Sequence, residues 1–128
     1  MILFFDRNVG VAIPTALKLL NLPVQIEAHQ DHFPIDEPDD VWLPLVGRWN
    51  WIVIAQDYKF HVIQAELEAL KQHNIGCFYL WGAEATKWEA MRAFAKGYDN
   101  IIREAGRAIR PFAFKVEKHG GVNEIVIP

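Results

Sequence analysis

The sequence is poor in cysteine and has no excess of positive charge. Its 128 residues include one cysteine, Cys77, so no disulfide can form within the chain. Lysine and arginine number 13, against 16 aspartate and glutamate residues, which gives a net charge of −3. Proteins that bind nucleic acid usually carry an excess of basic residues. Any such contact must therefore come from a local group of side chains.

Long hydrophobic runs and a secretion signal are also missing. No apolar run approaches the roughly 20 residues that span a bilayer, and the N-terminus lacks the basic region and cleavage site of a signal peptide. We therefore expect a cytoplasmic protein that does not contact a membrane. Hydrophobic residues make up 52% of the chain and charged residues 23%, which is typical of a globular fold. The length predicts a single domain, residues 1–128.

Strand and helix patterns alternate along the chain. Apolar, β-branched runs predict four strands, at about residues 1–5, 24–28, 51–55 and 77–81. The helical period predicts four helices, at about residues 14–20, 38–47, 60–73 and 84–105. This order predicts an α/β fold with a doubly wound, mainly parallel sheet, helices on both faces and strand order 2-1-3-4. Residues 111–127 predict a C-terminal β-hairpin at a sheet edge, where it would contribute to a dimer or partner interface.

Three local features qualify this assignment. Pro44 lies inside the second predicted helix, which indicates a kink or a later start. Trp88 falls on the apolar side of the last helix, so we expect it to pack on the sheet. His29 and His32 precede the second helix, and their spacing is a weak signal for a transition metal. We interpret both as solvated loop side chains.

Acidic side chains follow the first and third predicted strands. Asp6 ends the first strand and Asp57 follows the third, and parallel strands place both at one edge of the sheet, where α/β folds bind ligands. The second helix starts at the same edge, with Asp39 and Asp40 in its first turn. Carboxylates that converge in this way repel one another unless a cation is present. Oxygen ligands of this kind suit Mg²⁺ or Mn²⁺.

Each acid also has a purely structural explanation. Asp39 and Asp40 could complement the helix dipole, and Asp57 could cap the following helix. Asp6 could be a turn residue at the end of a strand. The argument for a site therefore depends on the coincidence of these acids at one edge.

Three segments taken together resemble the PIN-like nucleases, and in particular the compact, VapC-type toxins of type II toxin-antitoxin pairs. The resemblance covers about residues 2–81. It implies a PIN-like fold and metal-dependent endoribonuclease activity with Mg²⁺ or Mn²⁺ as cofactor. It also implies an RNA substrate and an antitoxin protein as partner. A homodimer is an alternative assembly. The segments are Phe5-Asp6-Arg7-Asn8, Pro38-Asp39-Asp40-Val41-Trp42 and Ile54-Ala55-Gln56-Asp57-Tyr58-Lys59-Phe60.

The resemblance also implies roles for single residues. Asp6, Asp40 and Asp57 would be the catalytic metal ligands, and Asn8 would hold the loop after the first strand. Ala55 stands where relatives often have a hydroxyl residue. The fourth acid of many relatives has no clear match here, which keeps open a second hypothesis, a catalytically weak or inactive binding or regulatory module.

Other charged residues near these segments complete the predicted site. Asp39 and Glu84 are its supporting acids, and Glu84 is the nearest candidate for the fourth acid. The candidates for contacts with substrate phosphates are Arg7, Lys59 and His61.

Overall fold

The computed structural model describes residues 1–56 and 64–128. Within these residues the strands are β1 (Ile2–Phe5), β2 (Gln25–Ala28), β3 (Ile52–Gln56), β4 (Gly76–Leu80), β5 (Phe112–Val116) and β6 (Val122–Ile125). The α-helices are α1 (Ala12–Leu19), α2 (Asp39–Arg48), α3 (Gln64–His73) and α4 (Lys87–Arg107). In this described part of the chain no helix is long and apolar enough to cross a membrane.

All described strands belong to one sheet in the order β2-β1-β3-β4-β5-β6. β1 to β5 run parallel, and β6 returns antiparallel to β5. The α/β fold, the strand order 2-1-3-4 and the C-terminal hairpin are thus confirmed. The reversal of chain direction places β1 between β2 and β3, so the carboxyl end of β1 opens into the crevice where such sheets bind ligands.

Two hydrophobic layers cover the sheet. Leu3 and Phe5 point to one face, where α1 and α4 pack, and Phe4 points to the other, where α2 and α3 pack. All three side chains are fully buried, as expected for a parallel strand with helices on both sides. The predicted placement of helices on both faces is therefore correct.

Several predicted helix boundaries are wrong by a few residues. α1 begins two residues before Pro14, which lies in the first turn, where its missing N–H costs nothing. α2 begins at Asp39 and continues through Pro44 and Gly47, so neither the later start nor the expected end at Gly47 is observed. A side chain at Gly47 would collide with the carbonyl oxygen of His73. This glycine therefore serves the close packing of α2 on the end of α3.

Two aromatic side chains also lie where the sequence did not place them. Trp88 is 69% exposed, because the buried stripe of α4 starts at Ala90 and Trp88 lies outside it. His29 is fully buried, whereas His32 is exposed as expected. The segment after β2 folds over the sheet, and the His29 ring lies 5.3 Å from the Trp42 ring and 5.5 Å from the Phe33 ring, measured between centroids.

Candidate active site

Asp6 leaves the sheet at its carboxyl edge, at the end of the strand between β2 and β3. Phe5, the last residue of β1, pairs with Ala28 of β2 and Ile54 of β3. The Asp6 N–H still donates to the Ile54 carbonyl, at 2.9 Å, and one oxygen of its carboxylate accepts from the Arg7 N–H, at 2.7 Å. A short 3-10 turn, Arg7–Val9, starts here because the Asp6 side chain caps it.

Asn8 joins this turn to the neighbouring strand. Its side-chain oxygen accepts from the Gln56 N–H at the end of β3, at 3.3 Å. The Gln56 side chain is buried and donates to the Leu80 carbonyl of β4, at 2.8 Å. The loop that carries Asp6 is therefore held against the end of β3, which is itself bonded to β4 at the same edge.

Arg7 connects the same turn to the start of α2. One terminal nitrogen of its guanidinium donates to the carbonyl oxygens of Ile35, at 3.2 Å, and of Glu37. The other donates to the Asp39 carboxylate, at 2.7 Å. The same Asp39 oxygen accepts from the Trp42 indole N–H, at 3.0 Å. The first turn of α2 is thus attached to the residue that follows Asp6.

A cavity of about 350 Å³ lies beside these residues, between α2 and α3. It brings together four of the predicted site residues: Asp6, Asn8, Asp39 and Asp40. Most of the remaining wall is apolar and comes from α2, α3, β3 and β4. Size and lining are typical of a site for a small ligand or part of a larger one.

Glu66 is an acid of this cavity that the sequence analysis missed. It lies in the first turn of α3 and lines the same wall as Asp6, and it accepts a hydrogen bond from the buried Tyr79 hydroxyl. Burial raises the pKa of Tyr79, and its neighbours Cys77 and Glu66 raise it further. The sequence does hold a signal for Glu66, because a helix that follows β3 must also begin at the carboxyl edge.

Burial gives Asp6 an unusual pKa. Its pKa is raised from 3.8 to about 6; loss of solvent is the largest cause, and the Arg7 N–H bond acts against it. The charges of Asp39 and Glu66 raise the pKa further, while the Arg7 charge lowers it. A carboxyl group in this state gains from a nearby cation, because a cation offsets both burial and repulsion.

The donor chemistry of the cavity suits a hard divalent ion, but the described residues do not complete a ligand set. In residues 1–56 and 64–128 no three histidine, cysteine, aspartate or glutamate side chains are close enough together to hold a metal. Asp57, the third predicted ligand, lies outside the described residues, as do Lys59 and His61. Carboxylate oxygens from Asp6 and Asp40 fit Mg²⁺ or Mn²⁺ by type, and Asp57 would have to complete the site.

Glu84 lies apart from the acids it was expected to support. It lines a second cavity, next to Trp81 and Lys118, where the Lys118 ammonium sits 5.4 Å from the centroid of the Trp81 ring. Glu66, and not Glu84, is therefore the further acid beside Asp6 in the described structure.

Comparison with known proteins gives a match to one family. The model of the PIN like domain matches residues 1–82, which run from β1 through β4 and include Asp6, Asn8 and Asp40. Neither the comparison with curated proteins nor that with solved structures gives a match. PIN-like domains are generally nucleases, which are hydrolases. The chain belongs to the PIN-like domain family, a nuclease-type superfamily.

Proposed function

We propose that this protein is a metal-dependent endoribonuclease that cleaves RNA phosphodiester bonds. Asp6, Asp40 and Asp57 are its metal-binding acids, and Mg²⁺ or Mn²⁺ is its cofactor. The observation that carries the proposal is the partly buried carboxyl of Asp6, which lines a cavity at the carboxyl edge together with Asp39, Asp40 and Glu66. The charges of Asp39 and Glu66 beside a desolvated carboxyl are unfavourable if no cation enters the site.

The chain's own residues would hold and orient the reacting groups. A bound divalent ion activates a water molecule and neutralises charge on a phosphate. Asn8 keeps the Asp6 loop on the end of β3, so the Asp6 carboxylate is presented by a fixed backbone. Asp40 lies in the first turn of α2 and is exposed, so its carboxylate is free to face a ligand that enters from solvent.

The resemblance to compact toxins supports a proposal for the biological role of this activity. In this proposal the enzyme is the toxin of a toxin-antitoxin pair, acts on RNA in the cytoplasm and is held inactive by an antitoxin protein. Lys59 and His61 contact substrate phosphates. A homodimer is a second candidate assembly.

One observation favours a different function, that of a binding or regulatory module with little catalysis. Glu84, the acid expected after β4, lines a different cavity from the one that Asp6 lines. On this second hypothesis the acids of the cavity are structural and RNA is bound without cleavage.

The deciding experiment measures cleavage of an end-labelled RNA in Mg²⁺, in Mn²⁺ and in chelator. Asp6→Asn, Asp40→Asn and Asp57→Asn should each abolish cleavage while leaving the circular dichroism spectrum unchanged. Asp36→Asn is the matched control, because Asp36 is an exposed acid of the loop before α2 and does not line the cavity. Equal cleavage by the unmodified protein and by Asp6→Asn, or in chelator, would rule out the metal mechanism. RNA binding without cleavage in either metal would favour the binding module.

A further inference from the structure

Arg7 links the turn that follows Asp6 to the segment that leads into α2, the helix that carries Asp40. Its backbone N–H donates to the Asp6 carboxylate, at 2.7 Å. Its guanidinium donates to two carbonyls of the segment before α2 and to Asp39 in the first helical turn. Asp40 is the next residue of that turn. A single residue therefore contacts the Asp6 side chain and the segment that places Asp40.

The far end of this link is anchored in the protein core. The Asp39 oxygen that binds Arg7 also accepts from the Trp42 indole N–H, at 3.0 Å. Trp42 is 2% exposed and packs against the Phe4 ring of β1, with centroids 5.4 Å apart. The link therefore runs from β1 through Arg7, Asp39 and Trp42 back to β1, and each member is held on both sides.

Both terminal nitrogens of the Arg7 guanidinium already donate to the protein. These bonds use three of the five guanidinium N–H groups, and one of the three acceptors is a carboxylate, so Arg7 cannot swing away toward a substrate phosphate without breaking them. The planar fork of a guanidinium suits such simultaneous bonds, and a lysine ammonium cannot reproduce their geometry. The arrangement is that of a fixed structural connection within the site.

We propose that Arg7 is a positioning residue that sets the separation of Asp6 and Asp40, and that it does not bind substrate phosphate. The inference rests on the proposed function, since it concerns the acids of that site. It replaces the substrate phosphate contact that was predicted for Arg7 from the sequence.

The first test is the effect of Arg7→Lys on cleavage in Mn²⁺, since lysine keeps the charge and loses the fork. We expect kcat to fall at least about tenfold, because small misplacement of reacting groups is costly, while KM stays within about twofold. The Mn²⁺ dissociation constant, measured from the electron paramagnetic resonance signal of free Mn²⁺, should rise. A raised KM with unchanged kcat and unchanged Mn²⁺ binding would overturn the proposal and identify a phosphate contact.

The second test is Asp39→Ala, for which the two roles predict opposite results. If Arg7 positions the acids, loss of its partner lowers kcat and weakens Mn²⁺ binding as Arg7→Lys does. If Arg7 binds phosphate, release from Asp39 makes it more available and KM falls. The Asp39 side chain is 62% exposed, so this variant decides the question even if Arg7→Lys does not fold.

The control is Lys18→Ala, which breaks an exposed ion pair of the same 2.7 Å length, between Lys18 and Asp31. This pair lies outside the candidate site, so kcat and KM should not change. An unmodified protein that neither cleaves RNA nor binds Mn²⁺ would remove the proposed function and this inference together. An active unmodified protein with a fully active Arg7→Lys variant would remove this inference alone.

Discussion

At the residue scale, the pKa of Asp6 reports on its neighbours. Burial is the largest cause of the raised Asp6 pKa, and the charges of Asp39 and Glu66 raise that pKa further. Glu66→Gln removes one of these charges and keeps an oxygen that can accept from Tyr79. In metal-free protein we therefore expect this variant to lower the Asp6 pKa from about 6, as measured by ¹³C NMR titration of the aspartate carboxyls.

Glu68→Gln is the matched control for this titration. Glu68 is exposed on the same helix and does not line the cavity, so its replacement should leave the Asp6 pKa unchanged. An Asp6 pKa that does not respond to Glu66→Gln, or responds equally to both variants, would mean that Glu66 is not a neighbour of Asp6 in solution.

Sequence reasoning found some members of this cavity and missed others for a physical reason. Asp6, Asp39 and Asp40 follow from strand and helix order, because the carboxyl edge of a parallel sheet collects whatever ends β1 and starts α2. Glu66 obeys the same rule but occurs among other charged residues of a helix, where a solvated face is the common explanation. The burial of His29 depends on how the segment after β2 folds over the sheet, and no local pattern encodes that path.

At the element scale, the pairing of β4 with β5 depends on the absence of a side chain at Gly76. Gly76 pairs with Phe112, and a Cβ at position 76 would collide with the buried Phe112 ring. We expect Gly76→Ala to lower the free energy of unfolding by about 1–3 kcal/mol, the usual cost of overpacking. Denaturation in urea measures it, and Phe112→Leu in the same chain should restore part of the loss.

Gly106→Ala is the control for this substitution and should have the opposite sign. Gly106 lies in α4, and a Cβ there would meet no atom within 4 Å. Since glycine is about 1 kcal/mol less favourable than alanine inside a helix, this variant should be the more stable protein. A neutral or stabilising Gly76→Ala would contradict the close approach of the Phe112 ring.

The C-terminal hairpin is part of the hydrophobic core and is not only an addition at the sheet edge. Phe112, Phe114 and Val116 of β5 are buried, and β5 lies between β4 and β6. Among the described residues, β6 has a partner strand on one side and none on the other. The turn residues and alternating pattern predicted the hairpin correctly. The sequence could not show that its first strand completes the core, because that depends on pairing with β4.

The exposed edge of β6 provides a test for association. Val126 follows this strand and is 77% exposed, and an open edge favours pairing with another chain. If the edge forms a homodimer, the unmodified protein should dimerise at high concentration in analytical ultracentrifugation. Val126→Lys should shift it toward monomer with an unchanged melting temperature. If Val126→Lys dimerises as strongly as the unmodified protein, the dimer interface lies elsewhere. If the unmodified protein is a monomer at every concentration, the edge does not form a homodimer and is available to a different partner.

At the scale of the whole molecule, the partly buried Asp6 and the buried His29 give the free energy of unfolding opposite dependences on pH. Asp6 has a folded pKa raised from 3.8 to about 6, so its contribution is full below about pH 4 and is lost as the pH rises through 6. Burial lowers the pKa of His29 from 6.5, so its contribution is full above pH 6.5 and is lost as the pH falls. Between these limits the two effects partly cancel.

Single variants should separate the two effects in metal-free protein. Relative to the unmodified chain, Asp6→Asn should become increasingly stable from pH 4.5 to 7.5, by roughly 2 kcal/mol, because each pKa unit corresponds to 1.36 kcal/mol and part of the effect is already present at pH 4.5. His29→Leu should gain relative stability in the other direction, as the pH falls below 6.5. Urea denaturation in chelator at several pH values measures both differences, and other titrating groups cancel in them.

Addition of Mn²⁺ then relates this stability to the proposed site. The ion would offset both the cost of burying the charged Asp6 carboxylate and its repulsion by neighbouring acids. It should therefore stabilise the unmodified protein at pH 7.5 in proportion to the occupancy of the site. Asp6→Asn carries no charge there, and its melting temperature should respond much less. The stability difference between Asp6→Asn and the unmodified protein could depend on pH while neither protein responds to Mn²⁺. That result would show that Asp6 is desolvated as described and is not a metal ligand.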